Sequence, residues 1–345
     1  MPLNIGVSVY PDGRTISLQL RENVNRILEP EVLKSLLDKY VTNIKIMGTL
    51  RDTMMTSEYL PFDPLVSPKN RLPAGTVDCH FHVFEDPAVY PHTSNRSYTP
   101  SLAPWAAFES MNNIIGADRA VLVHPSVYGH DHSTLYDTIQ AHADRLRAVA
   151  VLSVDSTDAE IERLHQAGTR GTRVNILFAG GNQLSDAESL ARRIQPFGWH
   201  IQFLVDVAAQ PEIPSWAAKL GVPVVFDHFG HPSNPDVQDA GFQNMCALVR
   251  EGTAWVKLSG AYRVVKPTNQ WSAIQPFVDA LLNTRTDRLV WGTDWPHPNI
   301  PAPMPNDGEI ADTVFKWLPT EDLRQQILVK NPELLYGFAP FAGRT

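Results

Sequence analysis

Residues Thr76–Phe84 read T-V-D-C-H-F-H-V-F, and the fold prediction starts from this stretch. Apolar side chains alternate with polar ones along it, which is the period of a β-strand. That period places His80 and His82 on one face, with Asp78 one step behind them. Two neighbouring imidazoles at a strand end can hold a metal or polarise a substrate oxygen. A solvated pair at a sheet edge has the same spacing, so the motif alone does not decide the function.

A second short apolar strand ends in an acid near the other end of the chain. Residues Leu289–Pro298 read L-V-W-G-T-D-W-P-H-P and place Asp294 just after that strand. Between the two stretches, strand and helix patterns alternate. The eight predicted strands are Thr76–Phe84, Ala120–His124, Arg147–Val151, Gly171–Ile176, His200–Val205, Val222–Asp227, Ala254–Leu258 and Arg288–Gly292. The clearest helical patterns are Ser133–Ala143, Asp158–Gln166, Asp186–Gln195, Pro214–Leu220, Phe242–Glu251 and Gln275–Asn283.

This alternation predicts an α/β fold, a (β/α)8 TIM barrel, because eight such units over about 260 residues fit that fold in size and count. A doubly wound parallel sheet is the structural alternative. It usually carries a glycine-rich phosphate loop after a strand, and no G-x-G-x-x-G follows any predicted strand here.

Composition limits the class of protein and its partners. The 345 residues are 43% hydrophobic and 19% charged, as in an ordinary soluble globular protein. A net charge of −8 and no Lys/Arg-rich run argue against nucleic acid as a partner. The two cysteines, Cys79 and Cys246, suggest neither a disulfide framework nor a zinc knuckle. Without a signal-peptide pattern or a long apolar run, we expect a cytoplasmic protein with no membrane partner.

Residues 1–75 differ from the rest and are predicted to be a small N-terminal α+β extension with a proline-rich linker, followed by the barrel at residues 76–345. The predicted elements are strands at Val7–Tyr10 and Thr15–Arg21, a helix at Pro30–Tyr40, a strand at Asn43–Met47 and the linker Leu60–Gly75. The extension is too small for a stable core of its own. We expect it to dock near the bottom of the barrel or on a second subunit, which makes a homo-oligomer possible.

Polar residues at the strand ends are the candidate site, because barrel active sites lie where strands end and the following loops begin. They are His80 and His82 after strand 1, His124, Ser126 and Tyr128 after strand 2, Arg173 and Asn175 on strand 4, Asp227 and His228 after strand 6, Ser259, Tyr262 and Arg263 after strand 7, and Asp294 and His297 after strand 8. Histidines after strands 1 and 6 and an acid after strand 8 converge on one mouth.

This constellation predicts a hydrolytic site. The carboxylate of Asp294 can accept a proton from water, while the imidazoles donate hydrogen bonds to a carbonyl oxygen as it gains charge. Arg173 and Arg263 would bind an anionic substrate group through their planar forks, although each could instead form a structural salt bridge. Lys257 is predicted to be structural. His92, His130, His132, His142 and His165 are predicted to lie on the surface, and His200 at the opposite end of the barrel.

Four motifs in order resemble the amidohydrolase superfamily: D-C-H-F-H-V-F, V-F-D-H-F-G-H-P, W-G-T-D-W-P-H-P and N-P-E-L-L-Y-G-F. Between about residues 76 and 338 the chain most resembles the branch that contains 2-pyrone-4,6-dicarboxylate lactonase. The resemblance implies that Asp294 activates water and that His80, His82 and His228 surround the scissile carbonyl. It also implies that the substrate carboxylates are bound by Tyr98, Ser126, Arg173 and Arg263.

Two departures from this branch predict a different substrate. A second arginine shortly after strand 4 is replaced near Ala179, and a tyrosine on strand 5 is replaced by Leu204. Both replacements weaken the grip on a dicarboxylate, so we expect a related substrate with one acidic group.

The metal prediction follows from the same comparison. Binuclear members of the superfamily carry a bridging Lys or Glu on strand 4 and a histidine on strand 5. Here strand 4 offers Arg173 and Asn175, and strand 5 offers Gln202 and Leu204. The lactonase branch implies catalysis without metal, and we expect no metal cofactor. The alternative is a single zinc ion on His80, His82, His228 and Asp294, since three nitrogens and an oxygen satisfy zinc.

The sequence therefore predicts a hydrolase that opens a small anionic lactone, in the breakdown of aromatic or sugar acids. Two alternatives from the same superfamily stay open. One is a lactone isomerase, which would move the acyl group between hydroxyls with the same residues. The other is a zinc-dependent decarboxylase, which would lose its activity on chelation.

Overall fold

Eight parallel strands form the barrel in the computed structural model, which describes residues 6–9, 16–19, 65–178, 180–265, 271–300 and 303–343. The strands are β3 (Val77–Phe81), β4 (Arg119–Val123), β5 (Leu146–Ala150), β6 (Thr169–Asn175), β7 (His200–Leu204), β8 (Val224–Phe226), β9 (Ala254–Leu258) and β10 (Leu289–Trp291). Each one pairs in parallel with the next along the chain. The predicted TIM barrel and all eight of its strands are confirmed, with ends that differ by three residues at most.

The sheet closes where the chain leaves β10 beside β3. The carboxylate of Asp78 accepts hydrogen bonds from the backbone N–H and the hydroxyl of Thr293, at 3.0 and 2.6 Å. The backbone N–H of Asp294 donates to the carbonyl of His80 at 2.8 Å. A register shift between Asp78 and Phe81 departs from simple alternation. Asp78 therefore binds the segment that follows β10. The strict strand period had predicted that Asp78 shares a face with the two histidines.

Helices follow the strands and cover the outside of the barrel. They are α1 (Trp105–Ile115), α2 (Ser133–Ala141), α3 (Asp158–Ala167), α4 (Ala187–Ile194), α5 (Ile213–Ala217), α6 (Ala240–Glu251), α7 (Ala261–Val264), α8 (Gln275–Thr284), α9 (Asp307–Trp317), α10 (Glu321–Gln325) and α11 (Asn331–Tyr336). The six predicted helices are confirmed as α2 to α6 and α8. In the part of the chain that the structure describes, no helix is long and apolar enough to cross a bilayer.

Apolar packing holds the barrel from both sides of its sheet. Outside, Phe81 stacks on Phe108 of α1 with ring centroids 3.6 Å apart, and both rings are fully buried. Inside the lower barrel, strand residues such as Val121 and Val225 meet Tyr336 and Phe338 near the end of the chain. Burying a large apolar side chain contributes about 1.5–3 kcal/mol, so these layers fix the strand ends on which the site is built.

The chain forms two compact units, Met1–Thr56 and Ser57–Thr345. In the first, β1 (Gly6–Val9) and β2 (Ile16–Gln19) pair antiparallel, which confirms the two predicted strands. The predicted helix Pro30–Tyr40 and strand Asn43–Met47 lie outside the described residues.

Part of the predicted linker is described in the second unit. There the backbone N–H of Leu72 donates to the carbonyl of Ile115 in α1 at 2.9 Å. The backbone N–H groups of Lys69 and Asn70 donate to Asp312 in α9. Residues 65–75 are therefore packed on the helices of the barrel.

Candidate active site

A small cavity opens at the carboxyl ends of the strands. Its lining residues are His82, Tyr98, Ser126, Arg173, Asn175, Phe178, Leu204, His228, His231, Arg263, Asp294, Pro298 and Asn299. The structure thus brings together eight of the side chains that the sequence analysis singled out. His80 lies fully buried beneath them.

Three imidazoles surround one oxygen of Asp294. The Nε2 atoms of His80, His82 and His228 lie 3.7, 3.9 and 3.8 Å from its Oδ1. Neither Oδ1 nor Nε2 of His80 has a hydrogen-bond partner, although both atoms are buried. A buried polar atom without a partner is costly, so this spacing favours a small polar species held between the four side chains.

The other oxygen of Asp294 is held by two donors that follow β9. The hydroxyl of Tyr262 donates to Oδ2 at 2.5 Å, and Nε of Arg263 donates to the same oxygen at 2.6 Å. Burial would raise the pKa of this carboxyl. The positive charge of Arg263 is the main effect that outweighs burial and holds the pKa well below its ordinary value. Asp294 is therefore a carboxylate with one oxygen fixed and the other facing the histidines.

The partners of each Nδ1 decide what each imidazole can present at Nε2. Nδ1 of His82 lies 2.7 Å from the carbonyl of Val123, which can only accept, so this Nδ1 carries the proton. Nδ1 of His228 lies 2.9 Å from the hydroxyl of Ser259, which can donate or accept. Burial lowers the pKa of all three imidazoles, to about 4 for His80, and keeps them neutral near pH 7.

Close backbone approach sets the positions of these histidines. A Cβ added at Gly292 would lie 2.6 Å from the backbone nitrogen of His80, so only glycine lets the chain after β10 pass so near β3. His228 itself has a φ of 51°, and Asp294 has a φ of 67°. A non-glycine residue in this left-handed region is uncommon and occurs most often at functional sites.

Beneath His80 lies a buried carboxylate to which the sequence analysis assigned no role. Oδ1 of Asp227 lies 3.2 Å from Nδ1 of His80 and 3.4 Å from Nζ of Lys257. Its Oδ2 accepts from Nε and Nη2 of Arg173 and from the amide of Gln202. Lys257 points into the barrel and donates to Gln202 at 2.7 Å. Arg173 is thus paired with an internal acid while its side chain also lines the cavity.

The remaining predicted substrate-binding residues divide into two groups. Tyr98 and Ser126 line the cavity and hydrogen-bond to each other, and Asn175 lines it while its Oδ1 accepts from the backbone of the following loop. Among the described residues, Tyr128 and His297 do not line it. The hydroxyl of Tyr128 accepts from the backbone of Glu85, and His297 contacts the hydroxyl of Tyr262 at 3.0 Å.

Sequence reasoning placed Tyr262 among the polar residues after strand 7 but gave it no role, and it did not single out His231. Tyr262 precedes Arg263 in the loop after β9, and His231 follows His228 by three residues. Both residues could have been found in the sequence, because each lies in a loop after a strand and close to a predicted site residue. Among the other histidines, His132 was predicted on the surface, but it is only 4% exposed and lies 3.1 Å from Glu160. His200 begins β7 at the opposite end of the barrel, as predicted.

The residues around Asp294 fit a single divalent metal ion. His80, His228 and Asp294 each offer a ligand atom within 4.8 Å of the others, and His82 lies beside them. The partner of Nδ1 of His82 matches that of many metal-bound histidines, which commonly donate this N–H to a carbonyl. Nε2 of His80 and Oδ1 of Asp294 have no hydrogen-bond partner, so both atoms are available as metal ligands.

Comparison with known proteins shows the family of the chain. Residues 77–338 match the family described as Amidohydrolase. The chain is 34% identical over 284 residues to the 2-pyrone-4,6-dicarboxylate hydrolase of Comamonas testosteroni, with 78% of this chain and 92% of that protein covered. It is 31% identical over 273 residues to the 4-sulfomuconolactone hydrolase of Hydrogenophaga intermedia, covering 77% of this chain and 90% of that protein.

Two further similarities bear on the reaction and the fold. The D-galactarolactone isomerase of Agrobacterium fabrum is 26% identical over 280 residues, covering 79% of this chain and 95% of that protein. A crystal structure with citric acid bound, from Acinetobacter baumannii, is provisionally described as a 2-pyrone-4,6-dicarboxylic acid hydrolase. It is 26% identical with a TM-score of 0.68, and covers 76% of this chain and 100% of that chain.

Proposed function

The chain belongs to the amidohydrolase family, and from this premise we propose that it is a hydrolase that opens a carboxylated lactone ring. Two relatives that are at least 31% identical carry the names of lactone hydrolases. The observation that carries the proposal is the arrangement around Asp294. One carboxylate oxygen is held by Tyr262 and Arg263. The other oxygen has no hydrogen-bond partner and faces three neutral imidazoles.

Asp294 acts as the base for the attacking water. Oδ1 accepts one proton of a water molecule as its oxygen attacks the lactone carbonyl carbon. The neutral imidazole of His82 presents an Nε2 lone pair toward the same place, so it can accept a hydrogen bond from the water and orient it. The ring C–O bond then breaks, and the proton held by Asp294 passes to the leaving ring oxygen. The net reaction adds one water and yields one hydroxy acid, or its keto tautomer.

His228 polarises the carbonyl. When the hydroxyl of Ser259 donates to Nδ1, Nε2 of His228 carries the proton and can donate to the carbonyl oxygen as negative charge develops there. Because burial lowers the pKa of this imidazole, it acts as a neutral hydrogen-bond donor.

The cavity wall favours a substrate with an acidic group and an apolar edge. Arg173, Ser126 and Tyr98 line the cavity and can hold a carboxylate or a sulfonate. Leu204 and Phe178 also line it and offer only apolar surface. The structure of the Acinetobacter baumannii relative has citric acid bound, which agrees with a carboxylated ligand. Leu204 stands where the resembled branch has tyrosine, and Ala179 lies outside the described residues, so we propose a substrate with one acidic group.

A single zinc ion would be held by His80, His82, His228 and Asp294, and when bound it would lower the pKa of water and polarise the carbonyl as a Lewis acid. The proton transfer proposed for Asp294 and the hydrogen bond proposed from His228 use the chain's own residues. Activity after exhaustive chelation therefore separates this hydrolase from a zinc-dependent decarboxylase.

A lactone isomerase is the second candidate, because the Agrobacterium fabrum relative carries that name. It would transfer the acyl group to a substrate hydroxyl instead of to water. At 26% identity this relative is less similar than the two hydrolases, so hydrolysis is preferred.

The test is a panel of mono- and dicarboxylated lactones in ¹⁸O-labelled water, with metal content measured on the same sample. We expect turnover of at least one lactone to an open acid that carries one solvent oxygen. An isomeric lactone without ¹⁸O would support the isomerase instead, and release of CO₂ would support the decarboxylase. The cytoplasmic location and the role in aromatic or sugar-acid breakdown stay predictions.

A further inference from the structure

We propose that His297 is a positioning residue that holds the hydroxyl of Tyr262 on Asp294, with Asp307 fixing the His297 ring. This role deepens the proposed hydrolysis and rests on it for its effect on turnover. The sequence analysis placed His297 among the residues that bind the substrate, so the proposal gives this side chain a different task.

Hydrogen bonds join these four residues in one chain. Nε2 of His297 lies 3.3 Å from Oδ2 of Asp307, and Nδ1 of the same ring lies 3.0 Å from the hydroxyl oxygen of Tyr262. That hydroxyl donates to Oδ2 of Asp294 at 2.5 Å. Asp307 is the first residue of α9, whereas Tyr262 belongs to the segment after β9. The chain therefore ties the proposed base to two other parts of the structure.

The direction of the bonds at Tyr262 follows from what each atom can offer. Burial raises the pKa of Tyr262 well above its ordinary value, so the hydroxyl keeps its proton. The carboxylate oxygen of Asp294 only accepts, so this proton points at Asp294 and the oxygen of Tyr262 accepts from Nδ1–H of His297. Hydrogen bonds in such a chain polarise one another. His297 therefore strengthens the bond by which Tyr262 holds Asp294.

The rings are packed so that the hydroxyl of Tyr262 stays in this place. The ring of His297 meets that of Tyr262 edge to face, with centroids 5.3 Å apart and planes at 88°. The guanidinium carbon of Arg263 lies 5.2 Å from the centroid of the Tyr262 ring. Arg263 also donates to Asp294 and to the carbonyl of Pro298, the residue after His297. The turn from Asp294 to Pro298 is thus held against Tyr262 and Arg263.

The supporting side chains lie outside the cavity lining. Tyr262, His297 and Asp307 are all buried, and the lining includes none of the three. A substrate in the cavity would therefore meet Asp294 but not the residues that hold it. Loss of His297 should accordingly lower kcat and leave KM unchanged.

A double-mutant cycle tests whether His297 acts through Tyr262. The substitution His297→Leu removes the donor, and Tyr262→Phe removes the hydroxyl that accepts from it. We expect His297→Leu to lower kcat roughly threefold to tenfold in the wild type, as for one lost hydrogen bond, and to have no further effect in Tyr262→Phe. The matched control is His132→Leu, which removes a buried imidazole beside another acid, Glu160, outside the cavity lining. Its effect should be the same in both backgrounds.

The substitution His297→Asn is a conservative variant that should rescue part of the loss. Its side-chain amide can donate from the place of Nδ1, and asparagine is among the residues that most often adopt the positive φ of 61° found at His297. We expect its kcat to lie between those of the wild type and His297→Leu.

A second measurement needs no substrate. It is the ¹³C signal of the Asp294 carboxyl carbon in the full-length protein labelled at aspartate Cγ, assigned by its loss in Asp294→Asn. We expect this signal to move in His297→Leu and in Tyr262→Phe. Adding His297→Leu to Tyr262→Phe should move it no further, and His132→Leu should leave it in place.

An unmoved Asp294 signal in Tyr262→Phe would overturn the proposal, even if His297→Leu did not fold. A further fall in kcat, or a further shift of the signal, when His297→Leu is added to Tyr262→Phe would overturn it as well. Equal losses in His297→Asn and His297→Leu would contradict the role of Nδ1 as the donor. If the carboxyl signals match expectation but no lactone is turned over, the proposed function fails while the positioning role of His297 stands.

Discussion

Arg263 donates a hydrogen bond from Nε to Oδ2 of Asp294 at 2.6 Å, so this guanidinium is engaged by the proposed base. Its Nη2 donates to the carbonyl of Pro298 at 2.9 Å. The sequence analysis predicted that Arg263 binds the substrate anion. Since its side chain also lines the cavity, it can hold the base and still present charge to a ligand.

The substitution Arg263→Met should therefore lower kcat for both acidic and neutral lactones. Loss of a charged hydrogen bond to Asp294 costs about 1.5–3 kcal/mol, which corresponds to a fall in kcat of roughly 10- to 100-fold on either substrate. If Arg263 also binds the anion, KM should rise for the acidic lactone only. Steady-state kinetics with a carboxylated lactone and its ester measure both effects.

Tyr262→Phe is the matched control for this experiment, because it removes a neutral donor from the same oxygen. It should lower kcat less than Arg263→Met does and leave the ratio of KM values for acid and ester unchanged. A normal kcat in Arg263→Met with both substrates would contradict the role of Arg263 in holding the base.

The pH dependence of the reaction follows from the charges around Asp294. The reaction needs the ionised carboxylate, which is present above its folded pKa and is lost as the pH falls through that value. The charge of Arg263 is the main effect that holds this pKa well below the ordinary value of 3.8 despite burial. We therefore expect kcat/KM to stay constant from about pH 8 to pH 5. An acid limb near pH 6.5 would show instead that a histidine must be neutralised for activity.

The free energy of unfolding should depend on pH because of two buried histidines that lie apart from Asp294. Burial lowers the pKa of His200 to about 3 and lowers that of His124 well below its ordinary value. Below about pH 6.5 the unfolded chain binds a proton at each ring that the folded chain does not, so stability falls as the pH falls toward the folded pKa. Each ring contributes up to about 1.4 kcal/mol per pH unit.

Urea unfolding between pH 7 and pH 4.5 measures this slope. Asp78 opposes it in part, because burial raises the pKa of this acid to about 7 and so favours the folded state as the pH falls. The variant His200→Gln should show a shallower decline than the wild type. A free energy of unfolding that is independent of pH over this range would contradict the burial argument.

Much of the fold could be predicted because strand and helix periods are local properties of the sequence. The alternation in Thr76–Phe84 and the apolar runs at seven later positions located every barrel strand. Helix α1 was missed although Phe108, Met111 and Ile115 are spaced along one face, since the buried stripe also includes the polar Asn112. Helix α9 carries a similar stripe and was also missed.

Only one part of the site could be predicted, namely which strand ends come together at the mouth of the barrel. Convergence of His80, His228 and Asp294 follows from the topology of a barrel. The partners of Arg173 and Arg263 could not be predicted, because pairing across the barrel depends on which side chains reach the axis. The register shift after Asp78 likewise depends on the neighbouring strand and leaves no clear mark in the sequence.

Leu204 offers a test of substrate choice. It lines the cavity where the resembled branch has a tyrosine. The variant Leu204→Tyr adds a hydroxyl there, and we expect it to lower KM for a dicarboxylated lactone about 5- to 10-fold relative to a monocarboxylated one, as for one added hydrogen bond. Leu204→Phe is the control, since it adds the ring without the hydroxyl. Equal changes in the two variants would mean that shape alone is responsible.

The most direct test of the account is kcat of Asp294→Asn on a lactone that the wild type opens. Tyr262 and Arg263 both donate to Oδ2, so the amide oxygen takes that position and the NH₂, which cannot accept a proton, faces the histidines. We predict a fall in kcat of at least about a hundredfold with an unchanged unfolding midpoint. The control Asp312→Asn changes a residue that does not line the cavity, and it should keep normal turnover. Near-normal kcat in a folded Asp294→Asn would contradict the role of Asp294 as the base.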